Sequence, residues 1–212
     1  TEDITSDQTL FGLKGEIAVS DRLSFGGFYE TFERDSGDEK NSAELNAIYK
    51  ISDIWTLGVA VAHIDQTVVG NDDRTGERTD AAVRLSYAGF DDLTLYGFVQ
   101  GTSNRSGGLE RNNRVGLGFD AQLTEKLSAS GEISDGDLGS AGALRLAYAA
   151  SADSDYYFGY ELDPTADVFS TSVSDNGTVV LGGRHRLSET VTTFAENKYA
   201  LPGDRQSLTA AY

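Results

Sequence analysis

The feature that most constrains this sequence is a regular alternation of short and long connections between strand-like runs. Six tight acidic turns recur, and a longer polar connection follows the second run of each hairpin. The tight turns are at residues 20–22, 52–53, 90–92, 124–126, 152–155 and 188–190. Consecutive strands joined by tight turns pair with their sequence neighbours as antiparallel hairpins. The pattern predicts an all-β, up-and-down chain with short turns on one rim and long loops on the other.

Apolar residues alternate with polar or small residues inside these runs. The first run places Phe11, Leu13 and Ile17 on one side and Lys14 and Glu16 on the other. A period of two is the signature of a strand with one apolar face. The same period recurs in most of the later runs. The run at residues 23–34 is ambiguous, because aromatic and charged residues share one parity there, and its facing stays open.

Much of the acid lies in the long connections, which we predict at residues 35–41, 65–78, 101–112, 134–140, 163–176 and 202–206. The chain carries 34 acidic and 17 basic residues, giving a formal net charge of -17. Such a surface repels phosphate backbones, so we expect no nucleic-acid partner. With no cysteine and only two histidines, the sequence predicts no disulfide, no zinc or thiolate centre and no cofactor.

No apolar run approaches the roughly 20 residues that a membrane-spanning helix needs. The longest, residues 57–62, lies inside an alternating segment. Residues 1–8 form an acidic, polar lead-in without the basic and apolar regions of a signal peptide. We therefore expect either that a leader has been removed or that the sequence is an excerpt.

Aromatic residues recur on the apolar parity a few residues before the tight turns. They are Tyr49, Tyr87, Phe119, Tyr148 and Tyr212, and His185 occupies the corresponding position in its own run. An amphipathic ring is most stable at the boundary between acyl chains and headgroups. Rings at one height on an apolar face therefore predict an aromatic girdle.

Tight turns, long loops, alternation and an aromatic girdle together resemble Gram-negative outer-membrane β-barrel proteins of the porin-like kind. The resemblance covers nearly the whole chain and rests on architecture, not on a diagnostic motif. It implies an antiparallel up-and-down transmembrane β-barrel with about 12–14 strands visible. It also implies short turns that face the periplasm, longer loops that face outward, and outer-membrane lipid or lipopolysaccharide as the surroundings.

We interpret residues 1–212 as one barrel domain or barrel segment. After the lead-in, six hairpin units occupy residues 9–201, and residues 207–212 begin a further strand. A spanning strand needs roughly 9–11 residues, so this last run is short. The orientation of the first run, which descends toward a periplasmic turn, also differs from that of a complete barrel of this family. Both features favour an internal piece of a larger barrel.

The polar parity supplies a mixed set of candidate lumen-lining charges. They are Lys14, Glu16, Glu44, Asp80, Arg84, Arg114, Asp120, Glu132, Arg145, Glu161, Arg184 and Arg186. Opposed charges on a pore wall create a transverse field that selects solutes. The same residue types also form cross-strand ion pairs or contact a plug inside a barrel that conducts little. Interleaved alanines and serines leave room for water, which favours a lumen.

Two functions from different classes fit this interpretation. The first is a channel for passive or selective diffusion of small solutes or ions. The second is a barrel that anchors or presents extracellular loops or further domains of a larger surface protein, with other barrel strands or subunits as partners. A soluble β-protein is a third alternative, because a period of two does not say which way the apolar face points.

The sequence predicts neither an enzyme nor a specific metal site. His63 and Asp65 share the apolar parity near the outer rim, but no Gly-x-Ser-x-Gly motif accompanies them. Residues 71–76 resemble the start of a calcium loop, yet Thr75 is a poor ligand and the twelfth position is Ala82. We expect a solvated acidic surface instead.

Overall fold

The computed structural model of the chain describes residues 8–162, 177–188, 191–200 and 204–211. Thirteen strands form one sheet in which every strand lies beside its neighbours in sequence. The strands are β1 (Gln8–Ser20), β2 (Leu23–Arg34), β3 (Glu39–Lys50), β4 (Trp55–Thr67), β5 (Gly76–Phe90), β6 (Leu93–Gly107), β7 (Arg114–Gln122), β8 (Leu127–Gly136), β9 (Ala141–Ser151), β10 (Ser154–Leu162), β11 (Thr178–Arg186), β12 (Thr192–Ala200) and β13 (Asp204–Ala211). The predicted all-β, up-and-down order is confirmed.

One short 3-10 helix, Asp72–Arg74, interrupts the connection between β4 and β5. Within the part of the chain that the structure describes, no helix is both long and apolar enough to cross a membrane.

Several long connections are shorter than predicted. β5 and β6 each have 15 residues and reach Gly76 and Gly107, inside segments predicted as loops. A ladder continues for as long as both strands supply hydrogen-bonding partners, and polar residues on both faces do not interrupt it. The last strand starts at Asp204, three residues before the predicted start at 207. The predicted loop at 163–176 lies outside the described residues.

The residues group into two compact units. The first contains residues 1–87, 97–115 and 136–138, and the second contains residues 88–96, 116–135 and 139–212.

The strand register of the first unit defines the two faces of its sheet. Lys14 pairs with Phe28, Phe28 with Glu44, Glu44 with Ala62 and Ala62 with Asp80. Residues that are directly opposite in a ladder point to the same side. In the first unit we call this side the polar face. In the second unit the same term denotes the side that carries Glu132, Arg145 and Glu161.

The register also settles the facing of β2. Phe28 lies between Lys14 and Glu44, and Phe32 lies opposite Lys40, so both rings are on the polar face. Phe32 is buried under the guanidinium of Arg34, which lies 5.4 Å from the ring centroid. Phe28 and Phe32 therefore do not mark the apolar side of this strand, whereas Phe25 and Tyr29 lie on it, opposite Ile17 and Leu13.

The opposite, apolar face is open to the surroundings. Leu13, Leu45 and Leu117 are 68%, 73% and 64% exposed. No large side chain of the described residues is fully buried. Monomeric soluble proteins rarely leave large contiguous apolar patches in contact with water. A surface of this kind indicates contact with a membrane or with another protein.

The tight turns alternate in length, a regularity that the sequence analysis missed. Two residues connect β1 to β2, β5 to β6 and β9 to β10, whereas four or five connect β3 to β4, β7 to β8 and β11 to β12. The longer turns share one hydrogen-bond pattern, in which the amides of Ile51, Leu123 and Leu187 donate to the carbonyls of Trp55, Leu127 and Val191. The local structure therefore repeats every four strands.

Candidate functional site: the polar face

The predicted lining residues of the first unit share one face. Lys14, Glu44 and Asp80 occupy a single cross-strand row. Glu16 lies opposite Gly26 in the next row, and Arg84 lies opposite Gly58. Asp80 is buried, whereas Lys14, Glu16 and Arg84 are exposed. Arg114, at the start of β7, is half-buried.

The predicted lining residues of the second unit fall into similar rows. Glu132 and Glu161 both lie opposite Ala143, and Arg145 lies between Ser130 and Gly159. Asp120 is exposed on β7. Interleaved small residues separate these charges, as the sequence predicted.

The two C-terminal arginines of the predicted set are engaged in ion pairs. Arg184 Nε lies 2.8 Å from Asp155 Oδ1, and Arg186 Nε lies 2.9 Å from Asp153 Oδ1. All four side chains are at least one-third exposed. Such pairs contribute roughly 0–1 kcal/mol each, so they orient the arginines more than they stabilise the fold. The first contact joins the neighbouring strands β10 and β11, and the second joins β11 to the turn before β10.

Two tyrosines on the polar face bridge neighbouring strands, and the sequence analysis missed both. The Tyr96 ring covers Gly118, and its hydroxyl donates to Glu132 Oε2 at 2.9 Å. The Tyr157 ring covers Gly182 in the same way, and its hydroxyl donates to Glu196. Each arrangement runs across three consecutive strands, from tyrosine over glycine to glutamate.

The sequence does contain a signal for these bridges, but the signal lies in the spacing between strands and not in the alternation of residues within one strand. Each glycine precedes its glutamate by the same interval, and each tyrosine is the fourth residue of its strand. At the equivalent positions of β2 and β3 the glycine is on the first strand and the larger residue on the second, because the Asn46 side chain covers Gly26. Only the four-strand repeat makes these positions comparable.

The glycine beneath each bridge is required by space. A Cβ at Gly118 would lie 2.2 Å from the Tyr96 ring, whereas a Cβ at Gly15 would meet nothing within 4 Å. We expect Gly118→Val to lower the free energy of unfolding by roughly 1–3 kcal/mol, since overpacking forces side chains from their rotamers. Gly15→Val is the matched control and should be neutral or slightly stabilising, because valine favours strands. Urea unfolding of the detergent-folded protein measures both, and equal effects would contradict the bridge.

Arg145 is held by a ring instead of by a carboxylate. Its guanidinium lies 4.0 Å from the centroid of the Tyr157 ring, and the residue is exposed. Further along the face, Lys198 Nζ lies 3.9 Å from Glu196 Oε1 and 4.0 Å from Glu161 Oε2. Tyr157 therefore joins a cation on one side to a carboxylate network on the other.

The connection between β6 and β7 packs on the polar face of the first unit. The Thr102 hydroxyl accepts from the Asn112 amide at 2.8 Å and donates to Asp80 Oδ1 at 2.7 Å. Gln100 Nε2 donates to the Asn112 carbonyl at 3.1 Å. Arg78 donates from Nε to Asp80 at 2.8 Å and from a terminal nitrogen to the Glu110 carbonyl at 3.2 Å. Residues 108–113 are therefore fastened to the side chains of β5 and β6.

A second carboxylate joins two neighbouring connections at the same rim. Asp38 is buried; Oδ1 accepts from the Val69 amide at 2.9 Å, and Oδ2 accepts from the Ser36 hydroxyl at 2.8 Å. These two hydrogen bonds, with a smaller contribution from Arg34, hold the pKa of Asp38 below its ordinary value although burial acts in the opposite direction. The ionised form is therefore part of the folded loop structure.

This carboxylate predicts an acid-sensitive contact between the two connections. Because the pKa is lower in the folded state, the stabilisation is complete above the ordinary carboxyl pKa and is lost as the pH falls through the folded-state pKa. We expect protection of the Val69 amide against hydrogen exchange, corrected for the intrinsic rate, to decrease between about pH 5 and about pH 2. Asp38→Asn should show low protection throughout that range. Unchanged protection of the original protein at the acid limit would contradict this role.

The predicted girdle residues lie on the apolar face where they are described. Tyr49 and Tyr148 are 45% and 47% exposed. Tyr87 pairs with Trp55 at a centroid distance of 4.7 Å, and the Phe119 ring covers Gly131. Tyr212 lies outside the described residues. The girdle stays a prediction that rests on these placements.

The two histidines make local cross-strand contacts. His63 Nδ1 lies 2.9 Å from Thr79 Oγ1, so the ring is hydrogen-bonded to threonine and not to Asp65. His185 Nδ1 lies 2.7 Å from Ser154 Oγ at the tight-turn end of β10 and β11. Neither contact assembles a nucleophile, base and orienting acid.

No protein-family model and no curated protein matches the sequence. Solved structures do match the fold. A mutant of the Rh. blastica porin gives a TM-score of 0.52 at 9% sequence identity, over 97% of this chain and 89% of that chain. The Ralstonia pickettii toluene transporter TbuX gives a TM-score of 0.59 at 10% identity, over 96% of this chain and 79% of that chain. The chain therefore has the antiparallel up-and-down β-barrel fold that these porin-like proteins share.

Proposed function

We propose that the chain contributes to a channel in the outer membrane of a Gram-negative bacterium, through which small polar solutes or ions diffuse. The polar face lines the passage, and the apolar face contacts lipid. The observation that carries the proposal is the exposure of Lys14, Arg84 and Arg145 on the side opposite the open apolar surface. Charges that remain accessible on that side suit a water-filled lumen, because a plugged interior would cover them.

The fastened connection at residues 108–113 supports a second candidate, a barrel that anchors or presents other parts of a surface protein. These residues lie against Gln100 and Thr102, so they occupy space on the polar face. A barrel narrowed in this way conducts less. This alternative does not require solutes to pass.

Conductance in planar bilayers distinguishes the two candidates. The channel proposal expects discrete current steps and a preference for cations that weakens as salt screens the net charge of -17. Glu44→Gln, on the polar face, should reduce the cation preference measured from the reversal potential. Asp65→Asn, on the other side of the sheet, is the matched control and should leave it unchanged. Folded, inserted protein without current steps at any salt concentration would favour the anchor.

A further inference from the structure

An open cleft in the second unit lies on the polar face near the tight turns. Its volume is about 610 Å³. One wall includes Thr94 and Asp92, the turn residue after β5, and the opposite wall includes Arg145. Ser128 and Ser130 lie between the walls. Cavities of about 300–1,000 Å³ accommodate small organic molecules.

Arg145 has the features of an arginine available to a ligand. The Tyr157 ring occupies one flat side of its guanidinium. No ion pair joins Arg145 to any carboxylate that the structure describes. Arg184 and Arg186, by contrast, are each paired with an aspartate. Stacking fixes the plane of a guanidinium while its N–H edges remain free to bind a carboxylate with two parallel hydrogen bonds.

The far side of the cleft carries the opposite charge. Asp120 on β7 and Asp92 in the turn both line it. Neighbouring strands are about 4.8 Å apart, so the backbones of β7 and β9 are separated by roughly 10 Å across β8. The intervening strand contributes the hydroxyl groups of Ser128 and Ser130, which leave the gap open. A positive group and negative groups thus face each other across a space of molecular size.

We propose that this cleft binds small zwitterions, solutes that carry a carboxylate and an ammonium group a few bonds apart. The carboxylate lies on the N–H edges of Arg145, with the hydroxyl of Ser130 as a further donor. The ammonium group lies at Asp120 and Asp92. The inference deepens the proposed channel function, on which its biological role rests, by naming the class of solute that passes. A solute with a single charge pairs either with Arg145 or with the two aspartates, but not with both.

Calorimetry on the detergent-folded full chain tests the proposal directly. The probes are 4-aminobutyrate, butyrate and butylammonium, which share a carbon chain and differ in charge. We expect 4-aminobutyrate to bind about tenfold more tightly than either single-charge probe, because it makes one more charge-assisted contact than butyrate or butylammonium does. Arg145→Gln should weaken 4-aminobutyrate about tenfold. Arg184→Gln, an arginine on the same face but outside the cleft, is the matched control and should leave binding unchanged.

A second variant keeps the test independent of how Arg145→Gln folds. Asp92→Asn lies in an exposed turn and should reduce the preference for 4-aminobutyrate over butyrate. Equal binding of the three probes to the unsubstituted chain, or zwitterion binding unaffected by Arg145→Gln, would overturn the proposal. Current steps without selective zwitterion binding would support the channel proposal and contradict the binding proposal. Selective binding without current steps would support the binding proposal and contradict the channel proposal.

Discussion

Replacing Asp80 with alanine is expected to lower the free energy of unfolding by roughly 3–5 kcal/mol, the cost of removing one partner of a buried ion pair. Asp80 is 6% exposed and accepts hydrogen bonds from Arg78 Nε and the Thr102 hydroxyl. The Arg78 side chain is itself only 11% exposed. Without Asp80 a nearly buried guanidinium loses its carboxylate. Urea unfolding in detergent micelles measures the loss.

Two control variants separate the charge from its surroundings. Glu77→Ala removes an exposed carboxylate from the same strand and should change stability by about 0.5 kcal/mol or less. Thr102→Val removes both hydrogen bonds of the Thr102 hydroxyl and should cost about 2 kcal/mol. Asp80→Ala should also make residues 108–113 accessible to protease, because Arg78 no longer holds the Glu110 carbonyl. A stability equal to that of Glu77→Ala would show that the network is dispensable.

The substitution Val59→Arg is expected to destabilise the protein nearly as much as Asp80→Ala does, for a different reason. Val59, the fifth of the 13 residues of β4, is 43% exposed on the apolar face and pairs with Ala47 and with Val83, the eighth of the 15 residues of β5. A charge on the lipid side near the bilayer midplane costs roughly 2–4 kcal/mol. We therefore expect Val59→Arg to lower the free energy of unfolding from phospholipid vesicles by that amount. The single tryptophan, Trp55, lies on the same strand and reports the transition by its fluorescence.

Ala60→Arg is the control for this prediction, because it changes the adjacent residue of the same strand. Ala60 pairs with Asn46 and Ala82 on the polar face. Its substitution should cost clearly less than that of Val59 at nearly the same depth. Equal losses at the two positions would mean that lipid does not contact the Val59 side, and the assignment of the faces would be wrong.

The faces of most strands could be predicted from the sequence, since the alternation of residue types is local. It assigned Lys14, Glu44 and Asp80 to the polar parity of their strands, and the ladders place the three residues in one row. It left the facing of β2 open, because Phe28 has the parity of charged residues. An aromatic residue on the polar face produces the same sequence pattern as an aromatic residue on the apolar face. Pairing with Lys14 and Glu44 decides between them.

The bridges and the fastened connection could not be predicted in this way. Tyr96 and Tyr157 contact glutamates two strands away, and such contacts depend on the turn lengths that set the register. The buried position of Asn112 depends on side chains of β6 that are 10 or more residues distant. A period describes one strand at a time. It carries no information on which rows of different strands coincide.

The absence of fully buried large side chains among the described residues has a consequence for how stability should be compared. Most soluble proteins bury their large apolar side chains in a core, whereas in the proposed outer-membrane barrel the apolar side chains of this sheet contact lipid. The thickness of the hydrocarbon layer then changes the stability of the folded state, because hydrophobic mismatch costs fractions of a kcal/mol per Å. The same sequence should therefore have no single free energy of unfolding, but one for each acyl-chain length in which it is measured.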